Sequence, residues 1–368
     1  MAYNDKNYED FFDSYSPEHI KEADRQRSKR SAEAKKRKNQ FKLAKVISAV
    51  IAFVLIIVII SIGVARCGSG KDNGGDRPFT SITNTGEHLP TGAGSNYAFV
   101  TDDTVTVGGS IESSNAVLVD ISNNVVLAQK KPNDKIYPAS MTKVMTLLVA
   151  SENVDDISAT FKMTSEIIDP LYKDGASLAG FGPGETVTVK DMFYGAILES
   201  GAEATVGLAV YISGSEKEFV KLMNKKAAEL GLASTNFCNV SGLHDKNHYT
   251  TCSDMAVIMA EAVKNDFCRE VLTTEYYTVA ANEFHEELKF HSTMLSRMYG
   301  TEPEVATILG GKTGYTANSG NCLASYGVTD DGRSIVCITA DAAGRYKPIY
   351  DSIELFKNYT HPENGSEK

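Results

Sequence analysis

Residues 46–65 form a run of twenty side chains without a single charge, VISAVIAFVLIIVIISIGVA. A helix needs about twenty apolar residues to cross the hydrocarbon core of a bilayer. A buried core helix would carry some polar face, and this segment has none. The forty-five residues before it hold a basic cluster: Lys29, Arg30, Lys35, Lys36, Arg37 and Lys38. An excess of Lys and Arg marks the cytoplasmic flank of a span. The pattern therefore predicts one transmembrane helix over 46–65, with the N-terminus in the cytoplasm and everything after Arg66 outside. The apolar region of a cleaved signal peptide is shorter, about 7–15 residues, and closer to the N-terminus. A lipoprotein is disfavoured because Arg66, not a small residue, precedes Cys67.

The rest of the chain divides by composition. Residues 1–45 are polar and basic and read as a largely disordered tail. Residues 66–96 are rich in Gly, Ser, Asn and Asp, the composition of a flexible linker. Residues 97–360 read as one globular domain, and 361–368 as a short tail. At 368 residues, with 42% hydrophobic and 23% charged, the chain holds enough apolar material for one large core. A formal charge of −10 excludes nucleic acid as the main partner. Six cysteines are too few for a disulfide scaffold in a chain this long.

Within 97–360, two β-branched runs at 115–120 and 124–128 flank a short turn, a hairpin signal. Residues 140–149 predict a helix apolar almost all round, which belongs in a core. Further helices are predicted at 191–211, 216–230 and 253–263. Two late strands at 322–326 and 334–339 bracket the turn 329–333, and a last helix covers 348–358. Strands at both ends with helices between them predict an α+β domain whose sheet pairs N- and C-terminal strands.

The chemistry starts at Ser140-Met-Thr-Lys143. A spacing of three puts Ser140 and Lys143 one turn apart on the same helix face. A lysine inside an apolar helix is rare without a reason. Desolvation lowers a lysine pKa, which lets Lys143 act as a base toward the Ser140 hydroxyl. Ser140 at the helix start also sits where the dipole favours a developing oxyanion. About 170 residues later comes Lys312-Thr-Gly-Tyr-Thr316 beside a strand run. S-x-x-K followed at this distance by K-T-G is the pairing found in β-lactamases and penicillin-binding proteins.

From about Ala116 to Phe356 the chain resembles the D-alanyl-D-alanine carboxypeptidases, the low-molecular-mass penicillin-binding proteins. The likeness is carried by Tyr137-Pro-Ala-Ser-Met-Thr-Lys143, Gly184-Glu-Thr-Val-Thr-Val189, Leu198-Glu-Ser-Gly-Ala-Glu-Ala204 and Ala228-Glu-Leu-Gly-Leu232. Gly242-Leu-His-Asp245, Asn247-His-Tyr-Thr-Thr251 and Lys312-Thr-Gly-Tyr-Thr316 complete the set, in order and spacing. The resemblance implies a β-lactamase/transpeptidase-like domain, an antiparallel sheet beside an all-helical region. It implies Ser140 as acyl-enzyme nucleophile, Lys143 as its base and Ser200 as proton relay to the leaving D-alanine. Lys312, Thr313, Gly314 and Tyr315 would line the substrate. The N–H groups of Ser140 and Tyr315 would form the oxyanion hole, and Arg345 would bind a carboxylate. No cofactor or metal is implied. The partners implied are the peptidoglycan stem peptide and β-lactams, with the bilayer held through 46–65 of a bacterial cell membrane.

One position departs from the family pattern: Ala202 stands where the middle motif usually has Asn, so a clamp on substrate and lysine is lost. Glu203 next to it is polar, but a helix is expected to turn it elsewhere. Cys238, His244, His248 and Cys252 superficially resemble a zinc site, yet lack its preferred C-x2–4-C spacing. A Cys238–Cys252 disulfide is the expectation for an outward-facing domain. Cys268, Cys322 and Cys337 are expected to pack as small apolar residues, and His285 and His291 to be exposed. Two other readings stay open: a class A β-lactamase on the same fold, and a penicillin-binding sensor or wall-binding module disabled by Ala202.

Overall fold

The computed structural model describes residues 98–298, 303 and 305–360. The expected span at 46–65, the tail 1–45, the linker 66–96 and the tail 361–368 lie outside the described residues. Among the described residues no helix is long and apolar enough to cross a membrane.

The chain opens with β1 (Val105–Thr106) and the hairpin β2 (Asn115–Asp120) and β3 (Val125–Lys130). A 3-10 turn (Ala139–Met141) leads into α1 (Thr142–Asn153). The helical region continues through β4 (Thr160–Lys162), α2 (Ser165–Lys173), β5 (Thr186–Thr188), α3 (Val189–Leu198), α4 (Ala202–Ser213), α5 (Glu216–Glu229), α6 (Cys252–Lys264) and α7 (Asp266–Thr273). The hairpin β6 (Tyr276–Val279) and β7 (Leu288–His291), then α8 (Leu295–Met298), precede β8 (Ala306–Thr316), β9 (Gly320–Thr329) and β10 (Ser334–Ala342). The final helix is α9 (Lys347–Tyr359).

The main sheet has the order β1-β3-β2-β10-β9-β8. The expected pairing of chain ends is present: β2 lies antiparallel to β10, with Leu118 opposite Cys337. The sheet departs from all-antiparallel at its edge, where β1 pairs with β3 in parallel. Side chains alternate across the sheet plane with period two. Val117, Val119, Val336 and Ile338 face the large core shared with α1 and α6. Leu118, Ile335 and Cys337 face the other side, where Ile349, Leu355 and Phe356 of α9 cover them. Both faces are buried, which is why these strands read as unbroken apolar runs rather than alternating ones.

Helix α1 carries the site lysine through the centre of the helical region. Its residues from Thr142 to Ala150 are all buried, as its all-round apolar sequence requires. The helix predicted at 191–211 is in fact two. A capping box between Thr188 and Asp191 starts α3, and the chain breaks at Glu199-Ser-Gly before α4. The break falls at Ser200, whose φ of +61° a continuous helix excludes.

Candidate active site

The nucleophile candidate stands on a strained turn. Ala139 has φ of +46°, a conformation that costs a non-glycine residue about 1–3 kcal/mol and persists only where neighbours hold it. The holding neighbour is Gly242, at φ +85°. A Cβ there would lie 1.8 Å from the Ala139 carbonyl oxygen and 2.9 Å from Ser140 N. No residue other than glycine fits both the backbone angle and the space. On the opposite side Gly314 of β8 presses on the same turn, since a Cβ on it would come within 3.1 Å of Ser140 N. The K-T-G sequence thus lies inside strand β8 rather than just before a strand, and its backbone runs against the Ser140 turn.

Lys143, one turn later, is 2% exposed. Its Nζ donates to Ser241 O at 2.6 Å and lies 3.1 Å from Ser140 Oγ. Burial lowers its pKa from the ordinary lysine value to about 7, against an opposing pull from the Glu203 carboxylate. Near neutrality a large share of the amine is therefore present without its extra proton. It can then keep its bond to Ser241 while its lone pair accepts the Ser140 hydroxyl proton.

Lys312 is fully buried in β8 and donates to Thr313 O at 2.9 Å. Burial holds its ammonium well below the usual lysine range, reinforced by repulsion from Lys143 and Arg297 and opposed by Glu199. Thr313 Oγ1 hydrogen-bonds Thr293 Oγ1 at 2.9 Å, and Thr293 N donates to Leu198 O. Through Thr293, strand β8 is tied to the end of α3, immediately before Ser200. Glu199 in that same turn accepts from His291 N at 2.6 Å. Ser200 is buried, and Tyr315 is 65% exposed at the rim. Arg345 is exposed, and its charge acts on Arg297, whose guanidinium is itself partly desolvated. The sequence pattern pointed to Arg345 alone; Arg297 is the guanidinium whose field reaches Lys312.

Glu203 turns toward a neighbouring loop, as a helix position there was expected to do. It is fully buried, and its Oε1 accepts from the backbone N–H groups of Ala179, Gly180 and Phe181 at 2.6, 2.9 and 3.4 Å. The signal was available: Glu203 is the one charged residue in Ala202–Ser213, the same anomaly that singled out Lys143. Thr293, Glu199 and Arg297 lie in polar or mixed stretches and offered no such contrast.

The histidine and cysteine expectations need correction. His248 is buried, with its Nδ1 accepting from Cys238 N at 3.2 Å and Nε2 against Thr142 Oγ1 at 2.8 Å. Burial lowers its pKa to about 4, so it is a neutral ring with both nitrogens committed to the protein. His244 packs edge-on against Tyr137. Cys238 is exposed while Cys252 is buried, and both are free thiols. The expected disulfide is absent because Cys252, at the start of α6, is buried in the same core as Cys322, while Cys238 lies at the surface. His291 is exposed as expected, but His285 is largely covered, its Nε2 2.7 Å from the buried Glu185.

The sequence profile of the D-alanyl-D-alanine carboxypeptidases matches residues 101–343. The chain belongs to this family. It is 36% identical over 231 residues to the D-alanyl-D-alanine carboxypeptidase DacF of Bacillus subtilis, covering 62% of this chain and 57% of that one. It is 29% identical over 257 residues to DacC of Escherichia coli, covering 68% and 62%. The chain thus spans less than two thirds of the length of these relatives. Among solved structures, penicillin binding protein 5 from Haemophilus influenzae superposes with a TM-score of 0.61 at 26% identity, over 68% of this chain and 71% of that one. Of the site positions described in this section, all but Arg345 lie inside the matched span.

Proposed function

We propose that this family member is an active serine carboxypeptidase that removes the terminal D-alanine from peptidoglycan stem pentapeptides. The observation that carries this reading is the buried Lys143 amine, 3.1 Å from Ser140 Oγ with its pKa near 7. Neutral Lys143 takes the Ser140 proton as Oγ attacks the carbonyl carbon of the penultimate D-alanine. The developing oxyanion is received by the N–H groups of Ser140 and Tyr315. The proton passes by way of Ser200 to the leaving D-alanine nitrogen as the peptide bond breaks, leaving an ester on Ser140. Water then attacks that ester, yielding the shortened peptide and free Ser140. Thr313, beside the buried Lys312 amine and within the field of the Arg297 guanidinium, suits the substrate's terminal carboxylate. A β-lactam would acylate the same serine.

The residues 46–65 support an anchored protein, with the catalytic domain outside a bacterial cell membrane and the tail 1–45 inside. One observation favours a weaker second reading. Ala202 is buried and brings no polar atom to the place its family usually fills with an amide, so a penicillin-binding sensor with little turnover is the alternative. Stem-pentapeptide hydrolysis measured alongside fluorescent-penicillin labelling tests both. D-alanine release together with labelling supports the enzyme, and labelling alone supports the sensor.

A further inference from the structure

A neutral lysine amine carries two N–H groups and one lone pair, and only the lone pair can take the Ser140 proton. With Nζ 3.1 Å from Ser140 Oγ, an amine free to rotate would turn an N–H toward that oxygen as readily as its lone pair. The competing acceptor is the carbonyl of Ser241, 2.6 Å from Nζ. An N–H engaged there fixes one of the three directions on the nitrogen. Two remain for the Ser140 side, one of them the lone pair.

The loop between α5 and α6 holds that carbonyl in place. Lys143 and Thr146 are three residues apart on one face of α1, and they donate to successive carbonyls of this loop. Thr146 Oγ1 reaches Val240 O at 2.7 Å, and Lys143 reaches Ser241 O. Val240 is pinned from its other end too, its N–H donating to Glu216 Oε1 at 3.0 Å. Beyond Val240 the chain turns through Gly242 at φ +85°, and Asn239 closes the turn. Its Oδ1 accepts from Gly242 N at 2.7 Å and Ser241 N at 3.3 Å, while its Nδ2 donates to Leu243 O at 2.8 Å. An asparagine side chain bracketing the backbone ahead of it fixes a turn in this way.

We propose that Asn239 is a positioning residue for acylation: by bracketing 241–243 it holds the Ser241 carbonyl on the Lys143 amine and so aims the lone pair at Ser140. The inference rests on Lys143 being the base toward Ser140. Every link is a contact, from Asn239 to Ser241 and Gly242, from Ser241 to Lys143, and from Lys143 to Ser140. A mere loop staple would stabilise the fold without acting through Lys143.

The test is a double-mutant cycle on Ser140 acylation by a fluorescent penicillin, in the full chain and well above neutral pH. The concentration dependence separates non-covalent affinity from the acylation rate constant. Asn239→Ala is expected to slow acylation ~10–100-fold, the cost of a small misplacement of a reacting group, with affinity unchanged. Asn239→Asp keeps the Oδ1 acceptor and should recover most of that loss. In a Lys143→Ala background, Asn239→Ala should change the remaining rate by less than about twofold, since its partner is gone. An unslowed Asn239→Ala, an equal slowing with and without Lys143, or an Asn239→Asp as slow as Asn239→Ala would each overturn the proposal. If Asn239→Ala does not fold, Asn239→Gln, which keeps the amide but displaces it, takes its place in the same cycle. Wild-type protein never acylated at Ser140 would remove the Ser140–Lys143 reading and this inference together. Wild-type acylation with an additive cycle removes only the role of Asn239.

Discussion

Lys143 is where composition, burial and chemistry meet, and its protonation makes the sharpest expectation at the residue scale. With a pKa of about 7, Lys143 is protonated below neutrality and cannot take the Ser140 proton. The value of kcat/KM should therefore fall about tenfold per unit of pH below that point, as a required base does. A profile flat from pH 5 to 8, checked by initial rates on a stem peptide, would place the base elsewhere. Ser140→Ala should abolish covalent penicillin labelling, and Lys143→Ala should slow it by ~10²–10⁴-fold, the usual contribution of a general base. Undiminished labelling in both variants, read on a fluorescence gel, refutes the pairing. Ala202 supplies neither donor nor acceptor, and a lost hydrogen bond to a charged group is worth about 1.5–3 kcal/mol. Ala202→Asn should leave D-alanine release unchanged or raise it by at most about a hundredfold.

At the scale of elements, the site is held by close backbone packing around the 3-10 turn that opens α1. Gly242→Ala would drive a methyl to 1.8 Å from Ala139 O at a φ of +85°. Acylation should collapse by at least two orders of magnitude, since small misplacements of reacting groups already cost about a hundredfold. Thermal melting should also drop, and a variant with wild-type labelling would show that this packing is not what places Ser140. How far such features could be seen beforehand follows from their physics. The strands at 334–339 and 115–120 were legible because both faces are buried and apolar, largely β-branched residues run through them. Lys143 was legible as a charge in an apolar helix. The break between α3 and α4 was not, because Ser200 at φ +61° is a backbone conformation imposed by tertiary packing that no local propensity of serine announces. The partners of Glu203 were not legible, because its three amide donors come from a loop 22–24 residues away in sequence. The disulfide expectation failed for a related reason. Spacing does not say that Cys252 points inward while Cys238 lies at the surface.

For the whole molecule, the basic cluster from Lys29 to Lys38 ahead of the uncharged run 46–65 sets an expectation for topology. Protease added to intact wall-free cells should remove the catalytic domain and spare the N-terminal tail, as read by antibodies to each end. Protection of the domain would reverse the proposed orientation and take the peptidoglycan substrate out of reach. The sheet, the helical region, the turns at Ser140 and Ser200 and the strand at Gly314 otherwise act as one frame around the Lys143 amine, so the account stands or falls on turnover at that frame. The most direct measurement is D-alanine released from a D-Ala-D-Ala-terminated stem pentapeptide by the natural protein, beside Ser140→Ala. The account predicts catalytic release that exceeds one equivalent per protein and disappears entirely in Ser140→Ala. Penicillin labelling of Ser140 with no D-alanine released, or release that survives the loss of Ser140, would contradict it.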